Sequence, residues 1–156
     1  MKIKILSIGN SMPTWVSSGV QVYTQRLPAQ WRPQLIEIPR PKGALKSKDR
    51  HAHCRREGEA LLAHLADHLR VIALDPQGKT LDTKMWTQKV QNWAIHDAHI
   101  ALLIGGSDGL HETCLERADE VWSLSALTFP HMMVRLLVVE QLYRAWTILH
   151  GHPYDK

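Results

Sequence analysis

The sequence has few cysteines and no long apolar run. Cys54 and Cys114 are its only two cysteines, which is too few for a disulfide framework, and neither lies in a CxxC or zinc-like pattern. No apolar stretch reaches the ~18 residues that a bilayer span requires. Residues 1–8 lack the apolar core and cleavage site of a secretion signal. We therefore expect no membrane partner and a location in the reducing cytoplasm.

Composition and length indicate one globular domain. The chain has 156 residues, of which 44% are hydrophobic and 22% charged. These values exclude a disordered polyelectrolyte, a collagen-like fibre and a disulfide miniprotein. No internal repeat or linker divides the chain, so we expect a single domain over residues 1–156.

The positive charge is concentrated in one segment. Lys and Arg number 19 against 15 Asp and Glu, a net charge of +4. Residues 40–56 hold seven Lys or Arg side chains and a single acid, Asp49. Such a segment is either a solvated loop and helix face or a surface that contacts nucleic-acid phosphates. Spacing alone leaves both interpretations open.

Apolar periodicity predicts strands alternating with helices along the whole chain. Strands are expected at 2–8, 34–38, 70–74, 99–104 and 121–124. Helices are expected at 14–27, 83–96, 112–118 and 132–150. A further helix is expected after the basic segment, with Ser47 or Asp49 as its N-terminal cap. Residues 75–79 and 125–131 read as loops. The strand at 99–104 is apolar on both faces, as in a central parallel strand. The predicted fold is therefore α/β, with a mostly parallel sheet and helices on both faces.

The last helix is apolar around almost its whole circumference. An ordinary surface helix has one apolar stripe, and a domain of this size has little interior in which to bury a whole helix. A subunit interface would bury the remaining apolar surface of this helix, so we expect an obligate homodimer formed through it.

A glycine-rich loop, 105–109, follows the most apolar strand. Glycines at the carboxyl end of a parallel strand allow backbone groups to approach a ligand closely. The loop is neither a P-loop nor a dinucleotide-binding fingerprint, and a purely structural turn is the alternative. Ser107 has no GxSxG elbow around it, and Cys114 is expected to be an apolar core residue.

Two short histidine clusters resemble fragments of metal sites. They are 51–54, which also contains Cys54, and 150–152. A metal site needs three or four converging ligands, and nothing in the sequence links the two clusters. No metal is therefore expected.

Polar residues interrupt the apolar final helix at Arg135, Glu140 and Arg144. Glu140 and Arg144 are four residues apart and can pair on one face. The pattern favours an ion pair at an interface rim, and the alternative is a pair of arginines that hold a phosphate or carboxylate.

Several segments together resemble one enzyme family. In chain order they are KIKILSIGN, QLIEIP, the Glu57-Gly58-Glu59 turn, VIALDPQGK, LLIGGSDGL, WSLSALTFPHMMVRLLVVEQLYRAW and a closing HPY. In order, spacing and total length, the chain resembles the SPOUT-class methyltransferases that modify N3 of a pseudouridine in large-subunit ribosomal RNA. The resemblance covers the whole chain.

The resemblance implies a C-terminal trefoil knot, which is rare among folds, a homodimer, and S-adenosyl-L-methionine held in the knot. By similarity the cofactor would contact Leu74, Gly105, Leu124, Ser125, Ala126, Leu127, Thr128 and Phe129. The apolar members of this set would form a slot for the adenine ring. A side chain introduced as Gly105→Val would then fill the slot and abolish cofactor binding without unfolding the protein.

The implied reaction is methyl transfer to N3 of a pseudouridine within assembled ribosomes. His131 is a candidate base for the N3 proton, while Arg135 and Arg144 would stabilise the anionic ring or grip phosphate. The tail, with Tyr154, would reach across the dimer to the partner's site. Relatives commonly carry a histidine directly after this tyrosine, whereas this chain has Asp155. The rival prediction is a non-catalytic factor that binds ribosomes or RNA on the same fold.

Overall fold

The computed structural model describes residues 1–42 and 49–155. Its sheet has five strands in the order β2-β1-β4-β3-β5, and all four pairings are parallel. The strands are β1 (Lys2–Ile8), β2 (Gln34–Ile38), β3 (Arg70–Thr80), β4 (His99–Ile104) and β5 (Glu120–Ser123). The predicted α/β class with a parallel sheet is confirmed.

Helices cover both faces of the sheet. They are α1 (Thr14–Arg26), α2 (Arg50–Leu62), α3 (Thr83–Ile95), α4 (Glu112–Arg117) and α5 (His131–Leu149). Short 3₁₀ turns lie at Ala29–Trp31 and Pro153–Asp155. Asp49 caps α2 by accepting from the backbone N–H groups of His51 and Ala52. Asp49 is thus the observed cap of the two proposed; Ser47 lies outside the described residues.

The central strand β4 separates two apolar clusters. Ile100, Leu102 and Ile104 point into the cluster formed with α1, α3 and α5. Ala101 and Leu103 point into the smaller cluster formed with α2 and α4. Side chains alternate between the two faces of a strand, so an all-apolar sequence in β4 is what burial on both faces requires.

The strand β3 differs from the prediction. Residues 75–79 are predicted as a loop that ends the strand, but β3 continues to Thr80 and pairs a second time with β5. Trp122 is the partner of Leu74 and again of Lys79, so the residues between them bulge out of the ladder. A Cβ at Gly78 would lie 2.7 Å from the Trp122 backbone nitrogen, so the second pairing of β3 with β5 requires glycine at this position.

The last helix lies between α1 and α3 on one face of the sheet. Residues such as Val138 and Leu142 face the core and are buried, while Met133, Leu137 and Ile148 are only half-buried. The trefoil knot that the resemblance implies stays a prediction. Within the described residues, no helix has both the length and the apolarity to cross a membrane.

Candidate ligand-binding site

A cavity of about 420 Å³ opens at the carboxyl ends of β4 and β5, beside the middle of β3, where its pairing with β5 is interrupted. The glycine loop that follows β4 and the segment between β5 and α5 form most of its wall. The structure brings together seven of the eight residues expected to hold a cofactor; these are Leu74, Gly105, Leu124, Ser125, Leu127, Thr128 and Phe129. Ala126 does not line the cavity. Open parallel sheets bind ligands at this edge.

The glycine loop is a tight turn whose backbone leaves no room for a side chain at its first position. A Cβ at Gly105 would lie 2.4 Å from the carbonyl carbon of Gly109 and 2.8 Å from the nitrogen of Leu110. The turn closes with a hydrogen bond from Gly109 N–H to the Gly106 carbonyl, 3.1 Å long. The expectation that Gly105→Val merely fills the slot is therefore wrong, because the new side chain would strike the loop's own backbone.

The opposite wall of the cavity is the segment from Leu124 to Pro130. Ser123 Oγ donates to the Ser125 carbonyl, and Ser125 Oγ accepts from Leu127 N–H, both at 3.0 Å. These short-range bonds shape the segment without help from a helix or strand. They leave the apolar side chains of Leu124 and Phe129 against the cavity. Leu127, which also lines it, is 70% exposed.

His131 stands at the edge of the cavity as the first residue of α5. Burial lowers the pKa of its imidazole below 6.5, and the nearby positive charges of Arg40 and Arg135 lower it further. These effects favour the neutral form of the ring at pH 7. A neutral imidazole beside a ligand cavity can accept a proton from a bound molecule.

Arg40 and Glu57 lie behind the glycine loop. The sequence does not indicate this position, since it marks Arg40 only as part of the basic segment 40–56. Arg40 Nη2 donates to Ser107 Oγ at 2.9 Å, and its Nε lies 3.8 Å from Glu57 Oε1. Glu57 is 4% exposed, and a Cβ at Gly106 would lie 2.9 Å from its Oε2. Burial raises the pKa of Glu57, while Arg40 opposes the shift. The only sign of Glu57 in the sequence was the Glu57-Gly58-Glu59 motif, which the resemblance treats as a turn but which lies within α2.

Arg135 is buried beneath the cavity rather than within it. Its side chain is 0% exposed. Nη2 donates to the carbonyls of Ile8 and Gly9 at 2.7 and 2.8 Å, and Nη1 donates to Glu37 Oε2 at 3.1 Å. The guanidinium therefore joins the second turn of α5 to the ends of β1 and β2. This arrangement is that of a positioning residue, so we withdraw the expectation that Arg135 contacts substrate.

Arg144 and Tyr154 lie together near the end of α5, and neither lines the cavity of its own chain. Arg144 pairs with Glu140 at 2.7 Å, as its spacing predicts, and with Asp155 at 3.1 Å. The Tyr154 hydroxyl lies 3.0 Å from Glu140 Oε1 and 3.1 Å from the Tyr23 hydroxyl. Burial and these two contacts raise the pKa of Tyr154, so the phenol stays protonated.

The fold and this cavity define a class of protein. A parallel sheet with an apolar slot and a glycine loop at its carboxyl edge is typical of α/β proteins that bind a nucleoside-containing ligand. The neutral imidazole at the edge adds a group that can take up a proton.

Comparisons with known proteins assign the chain to a family within that class. Residues 1–155 match the family described as predicted SPOUT methyltransferase. A ribosomal RNA large subunit methyltransferase H of Saccharophagus degradans is 47% identical, with both chains covered completely. One of Hahella chejuensis is 46% identical over 100% of this chain and 99% of its own. The chain therefore belongs to the SPOUT methyltransferase family, and it is a methyltransferase.

Solved structures show the same fold at low sequence identity. A probable methyltransferase from Bordetella pertussis has a TM-score of 0.58 and 13% identity, covering 92% of this chain and 95% of its own. A probable methylase family protein from Haemophilus influenzae has a TM-score of 0.53 and 17% identity, covering 98% of this chain and 68% of its own.

Proposed function

We propose that this chain uses S-adenosyl-L-methionine to methylate large-subunit ribosomal RNA, at N3 of a pseudouridine in assembled ribosomes. The names of the relatives support the RNA substrate, and the resemblance of the motifs supports the pseudouridine. The observation that carries the proposal is the apolar cavity at the carboxyl edge of the sheet, with the neutral His131 at its rim. Action on ribosomes implies the cytoplasmic location expected from the sequence.

The residues of the cavity fit the proposed cofactor. Its volume of about 420 Å³ lies within the ~300–1,000 Å³ common for small-molecule sites. Leu74, Leu124 and Phe129 would pack against the adenine ring, and the glycine loop would offer backbone groups to its polar atoms. When bound, S-adenosyl-L-methionine supplies an electrophilic methyl group on a sulfonium.

The chain's own chemical task is to orient the target base and take its proton. A neutral imide nitrogen is a poor nucleophile, so N3 must lose its proton as it reacts. His131 would accept that proton through its neutral ring. The buried Arg135 holds the N-terminal part of α5 in place, and Arg40 and Glu57 hold the glycine loop. These contacts fix the imidazole and the cofactor slot relative to each other.

We further propose that the active form is a homodimer built on α5. The face of α5 turned away from the sheet carries half-buried apolar side chains, including Met133, Leu137 and Ile148. Trp15, at the start of the neighbouring α1, is 60% exposed. Because this surface is apolar, its burial against a second copy of the chain is favourable. In such a dimer Arg144 and Tyr154 would act at the partner's cavity.

The basic surface supports an RNA substrate. Arg40, Arg50 and Arg55 have exposed side chains near the α2 end of the molecule. Arg50 and Arg55 make ion pairs at 3.9 and 3.2 Å that solvent largely screens. Their charges remain available to contact phosphates. The basic residues Lys46 and Lys48 fall outside the described residues.

Cofactor binding and methylation of ribosomes test the proposal directly. Calorimetry should show binding of S-adenosyl-L-methionine, and the protein should methylate intact ribosomes from a strain that lacks the gene, but not free RNA. Mass mapping should place the mark on one pseudouridine. His131→Gln should keep cofactor affinity and lose turnover, whereas His96→Gln, at the exposed end of α3, should keep both.

A non-catalytic factor on the same fold would behave differently. It would bind ribosomes with a strong salt dependence but show no affinity for the cofactor. That result would overturn the proposed activity.

Mixed dimers test the shared site. His131→Gln and Arg144→Ala should each be inactive alone, but mixing the two chains should restore activity. In a randomly mixed population about a quarter of the composite sites carry both native residues. Light scattering should also show a dimer at micromolar concentration. A monomer, or no recovery on mixing, would contradict the shared site.

A further inference from the structure

Three potential metal ligands meet where α2 and α4 begin. His51 lies in the first turn of α2, His111 is the N-cap residue of α4, and Glu112 is its first residue. One ligand atom from each residue lies within 4.8 Å of the other two. No metal is expected from the sequence, because nothing in it links the histidines at 51–54 to further ligands. The fold brings such ligands from a segment about sixty positions away.

The ring of His111 is buried with one nitrogen unused. His111 is 7% exposed. Its Nδ1 lies 2.9 Å from Thr113 Oγ1 and 3.3 Å from Thr113 N, while its Nε2 has no hydrogen-bond partner among the described residues. A metal on Nε2 requires the tautomer in which Nδ1 carries the proton and donates to Thr113 Oγ1. A buried polar nitrogen without a partner is unfavourable, so such an atom calls for an explanation. The ring of His51 packs against that of His111, with centroids 5.1 Å apart, so two imidazoles meet at this point.

We propose that His51, His111 and Glu112 form a zinc site. Two imidazoles and one carboxylate are a donor set that Zn²⁺ accepts, with water completing a tetrahedron. Bonds of ~2.0–2.1 Å in that geometry place ligand atoms about 3.3 Å apart. The present spacing of up to 4.8 Å thus requires a closure of roughly 1.5 Å. His51 and Glu112 are exposed and can supply it by rotating their side chains.

The ion would fasten α2 to the segment that follows the glycine loop. Residue 111 comes two positions after the loop, and it already packs closely on α2, since a Cβ at Gly58 would lie 3.0 Å from His111 Cβ. A bond from His51 on α2 to His111 and Glu112 would add a cross-link to this contact. The role of the ion is therefore structural, and it does not depend on the proposed reaction.

Zinc titration of the full-length chain tests the site. The untagged protein, stripped with a chelator, is titrated with Zn²⁺ by calorimetry and by competition with a chromophoric chelator. One zinc per chain should bind, and Zn²⁺ should raise the melting temperature. Affinity should fall in acid, because histidine binds a metal through the lone pair of its neutral ring.

Variants assign the ligands. His51→Ala and His111→Asn should each weaken binding at least about tenfold, and the asparagine preserves the helix cap. His96→Ala, on an exposed residue outside the cluster, should bind as the parent does. Parental affinity in either cluster variant, or no binding by the parent, would overturn the proposal. Because the readout is metal affinity, its failure is distinguishable from loss of methylation.

Discussion

Replacing Arg135 by methionine separates a structural role for this arginine from a catalytic one. Methionine keeps most of the apolar stem but removes the three hydrogen bonds to Glu37, Ile8 and Gly9. Each buried carbonyl left without a donor costs about 1–3 kcal/mol. The Glu37 side chain is 33% exposed, so water can solvate its carboxylate and reduce the loss of stability. We expect Arg135→Met to lower the free energy of unfolding by about 3 kcal/mol.

Chemical and thermal unfolding at pH 7 measure this loss. For a chain of this size 3 kcal/mol corresponds to a melting temperature lower by about 6–12 °C. Arg144→Met is the matched control, because Arg144 lies on the same helix but its side chain is 29% exposed. Its loss should stay within about 1 kcal/mol. All samples need equal protein concentration, since a dimer's stability depends on it. Parental stability with abolished methylation in Arg135→Met would refute the positioning role and restore the substrate contact.

Three further predictions concern single residues. Gly105→Ala should lose stability, by about 1–3 kcal/mol, together with cofactor affinity, because its Cβ strikes Gly109; an unchanged melting temperature would contradict this. Burial alone would raise the pKa of Glu120, but hydrogen bonds from Lys89, Arg70 and Trp122 lower it to about 2. Glu120→Gln should therefore lower the free energy of unfolding by about 1–2 kcal/mol at neutral pH. Unfolding curves should show this difference shrinking as pH falls from 4.5 toward 2. In the pH profile, kcat/KM should stay constant to below pH 6.5 and then fall as His131 is protonated. If the residual activity of His131→Gln shows the same fall in acid, the titrating group is another residue.

The secondary structure was largely predictable because it depends on local spacing. The apolar run at 99–104 predicts a strand covered on both faces, and β4 has those bounds and that burial. The final helix begins at His131, one residue before its predicted start. By contrast, the polar and turn-forming residues 75–79 indicate the end of a strand. The chain nevertheless returns to β5, because Gly78 approaches the Trp122 backbone from a distant part of the sequence.

The candidate site shows where local pattern ceases to be informative. The loop residues were predictable from the motifs that resemble the family, and seven of eight meet at one cavity. Arg135 and Arg144 look alike in the sequence, both interrupting one apolar helix. One is buried against two backbone carbonyls and the other is a partly exposed ion pair. Only the packing of α5 on the sheet distinguishes them.

The amino-acid sequence alone determined the alternation of strands and helices, the apolar centre of the sheet and the glycine turn, because periodicity and turn chemistry act between near neighbours. The tertiary structure alone decided the strand order and the bulge in β3. It also decided the burial of Arg135 and the meeting of His51 with His111. These features depend on contacts between segments far apart in the chain, and such contacts follow from how whole elements pack.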